Sequence, residues 1–233
     1  MLAVSAALPD EASDRPAIVL IHGAANSARV WTFWQQELAR RGWPAYALDL
    51  RGHGASTPLD LSRTTMTDYA DDVSALVGQL AANPVVMGWS MGGLAALIAA
   101  ARGGALAYVG LAPSPPARAR HTSPTLRSGV FGAEEYGIVS GDPGDQPAMP
   151  DLDLEERAIA LASLGPESRH ARDDRRAGIV IADLPCRRSS LPARPIRRSL
   201  AAPTTTSRWP RSSSRPRAPH TGGWSSTAGS SRR

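Results

Sequence analysis

Lysine is missing from this chain, cysteine occurs once, and no acidic residue follows Asp183. The single cysteine, Cys186, rules out an internal disulfide framework. Without lysine, every basic side chain is an arginine. Long apolar runs are also lacking. The longest, Leu94 to Ala112, is broken by Arg102 and three glycines, and it predicts a buried helix and then a strand rather than a membrane span. The first residues lack the basic start of a usual signal peptide and meet acids at Asp10 and Glu11. A soluble cytoplasmic protein is expected, with no membrane partner.

The missing acids divide the chain in two. Residues 187–233 carry eleven arginines and no Asp or Glu, while the rest sets fifteen arginines against twenty-one acids. The net charge of +5 therefore hides a basic tail on an acidic body. The body, 1–186, is long enough for one domain with a sizeable core. The tail, 187–233, is rich in Ser, Pro and Arg, a composition that cannot bury a core and predicts disorder.

What is present upstream is an alternation of periods. Ala17-Ile18-Val19-Leu20-Ile21 is a continuous β-branched run, fit for a strand buried on both faces. Trp31, Trp34 and Leu38 recur at helical spacing, and Gly42 stops that helix. Pro44 to Leu48 is a second short strand. Thr67 is expected to cap a helix with Asp68 in its first turn, its apolar face being Tyr69, Val73, Leu76, Val77 and Leu80. Pro84 to Met87 and Leu106 to Leu111 read as further strands, with a small-residue helix from Gly93 to Ala100 between them. Strand and helix in alternation predict an α/β fold, a mostly parallel sheet covered by helices. Ligands of such a sheet bind at the carboxyl ends of its strands.

Three groups fall at those ends. Gly88-Trp89-Ser90-Met91-Gly92 joins strand to helix, the context that makes a G-x-S-x-G string a nucleophile elbow. Gly88 and Gly92 let strand and helix approach closely. Ser90 would stand at the tip, with the amide of Met91 at the helix N-terminus placed to hold a developing oxyanion. A tight turn whose serine merely caps the helix is the plain alternative. His22-Gly23-Ala24-Ala25 follows the first apolar strand, and the amide of Ala24 is a second oxyanion donor candidate. There His22 and Gly23 are read as structural neighbours of the site. Asp49-Leu50-Arg51-Gly52-His53-Gly54-Ala55-Ser56 follows the second strand, and Asp49 and His53 are read as mainly structural.

HGA, DLRGHGAS and GWSMGG, in that order and spacing, resemble the α/β-hydrolase superfamily over residues 15 to 186. The resemblance implies an eight-stranded sheet, a Ser–acid–His triad with Ser90 as nucleophile, and an oxyanion hole made by the amides of Ala24 and Met91. It places a lid at about 113–178, in which Leu152 to Leu164 is helix-like. No metal or organic cofactor is implied. The first two strands of the usual sheet are barely represented, because Met1 to Pro16 is short and polar.

The pattern holds as far as Ile179 to Cys186 and then fails. The strand, acid, strand and histidine that the family requires do not follow, so the C-terminal strands are expected to be missing. His220, in Pro219-His220-Thr221-Gly222, lies near the expected distance for the base, but no carboxylate stands at the acid position. A frameshift accounts for this. Read one base out of register, positions 189–193 can encode Val-Leu-Val-Ala-Gly, position 196 an aspartate, and positions 218–224 a turn with a histidine. The expected function is a serine hydrolase acting on a small carboxylic ester or lactone through an acyl-enzyme, impaired in this chain. The alternative is a non-catalytic protein of the same fold whose basic tail binds nucleic acid or an anionic surface, a partner that the frameshift reading disfavours.

Overall fold

The computed structural model describes residues 1–181 and 183–191. Its first strand, β1 (Ala3–Ala7), is largely exposed. The next, β2 (Ile18–Ile21), has all four residues buried, as a continuous apolar run requires. A 3-10 turn (Ala28–Trp31) leads into helix α1 (Thr32–Arg40), followed by β3 (Ala45–Asp49). Helix α2 (Met66–Val77), strand β4 (Val85–Trp89), helix α3 (Met91–Ala101) and strand β5 (Ala107–Leu111) complete the alternation.

Residues 113–178 supply a two-residue ribbon, β6 (Val130–Phe131) against β7 (Glu167–Ser168), with helix α4 (Leu154–Ala162) between them in the chain. Helix α5 (Arg169–Ala177) and strand β8 (Arg187–Leu191) follow. The main sheet has the order β1-β3-β2-β4-β5-β8. Only β1 runs antiparallel to its neighbour.

Side-chain alternation along β2 divides the core. Val19 and Ile21 pack with α2 and α3 through Tyr69, Val73, Leu94 and Leu97. Ile18 and Leu20 pack with Trp31, Ala45 and Ala47 on the opposite face. Helix α3 buries nine residues, most of them Ala or Gly, so it lies close across the sheet.

Two expectations need correction. The short, polar N-terminal stretch does form a strand, because β1 is an edge that needs only backbone pairing to β3. Anchors to Ser56 and Gln35 hold it: the Ala3 N–H donates to Ser56 Oγ at 2.9 Å, and Gln35 Nε2 donates to the Ser5 carbonyl at 3.0 Å. The cap of α2 is Thr65 rather than Thr67. Thr65 and Asp68 form a reciprocal capping box, which requires a three-residue spacing.

Beyond α5, Ile179 to Cys186 is a connector in which Val180 makes one isolated bridge to Ala117. Ile179, Ile181, Leu184 and Cys186 pack against the core. The strand beside β5 is β8, so the parallel sheet takes in residues 187–191. A parallel ladder is made by backbone groups, and an edge position tolerates a polar strand.

Candidate active site

The site is built where β3, β2 and β4 end side by side. Ile21 of β2 is opposite Gly88 of β4, so the His22 turn and the Ser90 turn leave adjacent strands at one level. Ser90 has φ 52° and ψ −119°, a left-handed conformation rare for a residue with a side chain. Its backbone is fastened on both sides. The Ser90 N–H donates to the Leu111 carbonyl at 3.1 Å, and the Ser114 N–H donates to the Ser90 carbonyl at 2.8 Å. Helix α3 begins at Met91, directly behind the serine.

The glycines explain why this turn can form. A Cβ on Gly88 would lie 2.3 Å from the Gly92 carbonyl oxygen, and one on Gly92 would lie 2.1 Å from that of His22. A Cβ on Gly23 would meet the Trp89 ring at 2.8 Å. The elbow and the His22-Gly23-Ala24 turn are thus in direct contact, with Ala24 and Met91 both buried beside it.

His22 is fully buried. Its Nε2 accepts the Leu50 N–H at 3.2 Å, so Nδ1 carries the proton and donates to the Gly23 carbonyl at 2.8 Å. Burial, aided by the nearby His53, lowers its pKa to about 4 and keeps it neutral. The Asp49 carboxylate organises its own loop, accepting the Ala28 N–H at 2.6 Å and the Ala55 N–H at 2.9 Å. Arg51 reaches Asp72 and Asp68 and ties that loop to α2.

Glu167 is the site residue that carried no sequence signal. Only 1% exposed, it sits on β7, directly before α5. Its Oε1 accepts the Tyr69 hydroxyl and the Ser168 N–H, both at 2.6 Å. Its Oε2 accepts the Ala25 N–H at 3.2 Å and lies 3.4 Å from His53 Nε2. His53 Nδ1 donates to the Arg51 carbonyl at 2.9 Å. Burial disfavours charge on both partners, but their mutual attraction outweighs it: the His53 pKa is raised and the Glu167 pKa lowered. Burial and Glu167 together push the Tyr69 hydroxyl well above its ordinary value.

Both nitrogens of His22 are thus hydrogen-bonded, whereas His53 uses Nδ1 for the Arg51 carbonyl and its Nε2, without a hydrogen bond, faces the Glu167 carboxylate at 3.4 Å. Among the described residues no histidine hydrogen-bonds Ser90. His220 lies outside the described residues, and Asp183 is exposed in the connector before β8. Among the described residues no group of three or more His, Cys, Asp or Glu is arranged to hold a metal. A groove of about 540 Å³ runs between residues 138–143 and α4, lined by Ile138, Val139, Pro143, Ala158, Leu161 and Leu164.

The chain belongs to the alpha/beta hydrolase family, whose model matches residues 18–226. It is 38% identical over 94 residues to protein phosphatase methylesterase 1 of Mus musculus, covering 38% of this chain and 24% of that protein. Over 85 residues it is 36% identical to a monoacylglycerol lipase of Mycolicibacterium smegmatis, covering 34% of this chain and 30% of the lipase. A pimeloyl-[acyl-carrier protein] methyl ester esterase of Shewanella is 33% identical over 93 residues, with 40% of this chain and 32% of the esterase covered. The matches thus span about a quarter to a third of these relatives' length. Among solved structures, an N-formylmaleamic acid deformylase from Pseudomonas putida S16 superposes with a TM-score of 0.56 at 19% identity, covering 81% of this chain and 77% of the other. That likeness is one of fold. No helix among the described residues is long and apolar enough to cross a membrane.

Proposed function

We propose that this is a cytoplasmic serine hydrolase of small carboxylic esters or lactones, and that this chain retains the nucleophile and oxyanion half of the site but not its acid–base half. Ser90 attacks the substrate carbonyl, the amides of Ala24 and Met91 take up the oxyanion, and water releases the acid from the acyl-enzyme. The observation that carries the reading is the elbow itself. Ser90 is held in a left-handed turn at the start of α3, against the Gly23–Ala24 turn. The ester chemistry named for the three partial relatives agrees with it.

A serine hydroxyl is a weak nucleophile until a base takes its proton. Both His22 nitrogens are hydrogen-bonded, His53 Nε2 faces Glu167 and makes no hydrogen bond to Ser90, and no acid follows Asp183. The make-up of β8 supports the frameshift reading. Arg187-Arg188-Ser189-Ser190-Leu191 pairs with β5, and over 189–191 the shifted frame can encode the apolar Val-Leu-Val.

Fluorophosphonate labelling of Ser90 and turnover of p-nitrophenyl acetate, each with a Ser90→Ala control, test the proposal. Slow Ser90-dependent labelling and weak turnover are expected, and restoring the shifted frame should raise turnover at least about 10³-fold. Fast Ser90-dependent turnover by the chain as it stands would refute the impairment. No Ser90-dependent reaction in either form would refute the hydrolase reading. An uninterrupted, well-supported reading frame in the coding DNA around codons 184–190 would refute the frameshift.

A further inference from the structure

The oxyanion turn does not hold its own shape. Ala25 has φ 57°, in the left-handed region that residues with a side chain rarely adopt. Its neighbours fasten it through the last residues of the lid. The Ala25 N–H donates to Glu167 Oε2 at 3.2 Å, and the Gly165 N–H donates to the Ala25 carbonyl at 3.1 Å. Ser163 Oγ, whose one proton is shared between the Ala160 carbonyl at 2.6 Å and Asn26 Oδ1 at 2.9 Å, borders Asn26, while Asn26 Nδ2 donates to the Ala24 carbonyl at 2.8 Å. Residues 25 and 26 are thus tied to residues 163–167, and Ala24 is held to them through Asn26. None of these bonds uses the Ala24 N–H.

The central group is a carboxylate for a chemical reason. The four groups that face Glu167, namely the Tyr69 hydroxyl, the Ser168 and Ala25 N–H groups and the His53 ring, can all act as donors. Only an acceptor-only side chain satisfies four donors, and a glutamine would turn its own NH₂ against one of them. His53 supplies the counter-charge in a site closed to water, where an uncompensated carboxylate would be costly.

We propose that Glu167 is a positioning residue for the oxyanion hole. Through the Ala25 N–H it keeps the turn in its left-handed shape, so that the Ala24 amide points at the oxygen of the carbonyl that Ser90 attacks. The lid therefore shapes the reaction centre as well as covering it. This rests on the assignment of Ser90 and Ala24 above.

The full chain, ¹⁵N-labelled, and its Glu167→Gln and Glu167→Asp variants supply the test. In Glu167→Gln the Ala25 amide proton should move upfield, the Ala24 amide should move with it, and Glu167→Asp should restore part of both shifts. Fluorophosphonate labelling of Ser90 should slow about 10-fold to 100-fold at saturation in Glu167→Gln, with the half-saturating concentration unchanged, because a misaimed amide weakens the transition state rather than binding. Unmoved Ala24 and Ala25 amides, or wild-type labelling by a folded Glu167→Gln variant, would overturn the proposal. If Glu167→Gln does not fold, Glu167→Asp decides on the same two readouts: its withdrawn carboxylate should shift both amides and slow labelling, and an unchanged pair overturns the proposal. A wild-type chain that does not label at Ser90 counts against the hydrolase reading instead, and the amide shifts then decide the role of Glu167 alone.

Discussion

Ser90 carries a backbone cost that its position explains. At φ 52° and ψ −119° a side chain is strained, and the hydrogen bonds to Leu111 and Ser114 hold it there. Ser90→Gly should relieve the strain and stabilise the fold by about 1 kcal/mol, since the relief exceeds the extra chain entropy of glycine. The check is thermal denaturation: a raised melting temperature together with lost labelling is expected, and a lowered one would mean that Ser90 is unstrained. His22 sets the acid limb of stability. Its folded pKa of about 4 lies below the ordinary 6.5, so its contribution is complete above pH 6.5 and is lost as pH falls toward 4. A shift of that size is worth about 3 kcal/mol for a fully buried ring. His53 has the opposite sign, since its raised pKa favours the folded state below pH 6.5. The His22 ring should show no NMR titration above about pH 5, while stability declines between pH 6.5 and 4. A His22 ring titrating near 6.5 would refute this.

Capping and close packing act at the scale of the element. Helix α2 begins at a capping box, Thr65 with Asp68, and its second face carries Tyr69 to Glu167. Thr65→Ala should cost about 1 kcal/mol, read as a lower denaturant midpoint at an unchanged m-value. The T-x-x-D spacing was visible in the sequence, but Thr67 also precedes an acidic residue, and only the backbone shows which threonine leaves the helix. Strand β4 and helix α3 were legible because their glycines and small residues leave few alternatives. Strands β1 and β8 were not: β1 is a run of small, largely exposed residues, Ala3-Val4-Ser5-Ala6-Ala7, and β8 is mostly Arg and Ser, and both are held by backbone pairing.

Among the described residues, the main sheet ends beyond β5 in its least apolar strand, β8. Ending the chain at Cys186 removes β8 and bares the backbone groups of β5, whereas ending it at Leu191 keeps that ladder. The shorter chain should melt at a lower temperature and aggregate faster, as followed by light scattering. Equal behaviour of the two truncations would show that β8 adds nothing to the sheet.

The sequence by itself determined the alternation of strand and helix, the elbow at Ser90 and the turn at Gly23–Ala24. These are local patterns, set by hydrophobic period and by glycines where no Cβ fits. Tertiary structure alone decided that Glu167, in a stretch without periodicity, lies within reach of Ala25, His53 and Tyr69. Those partners are 142, 114 and 98 residues away in the chain, and no local pattern encodes a contact of that range.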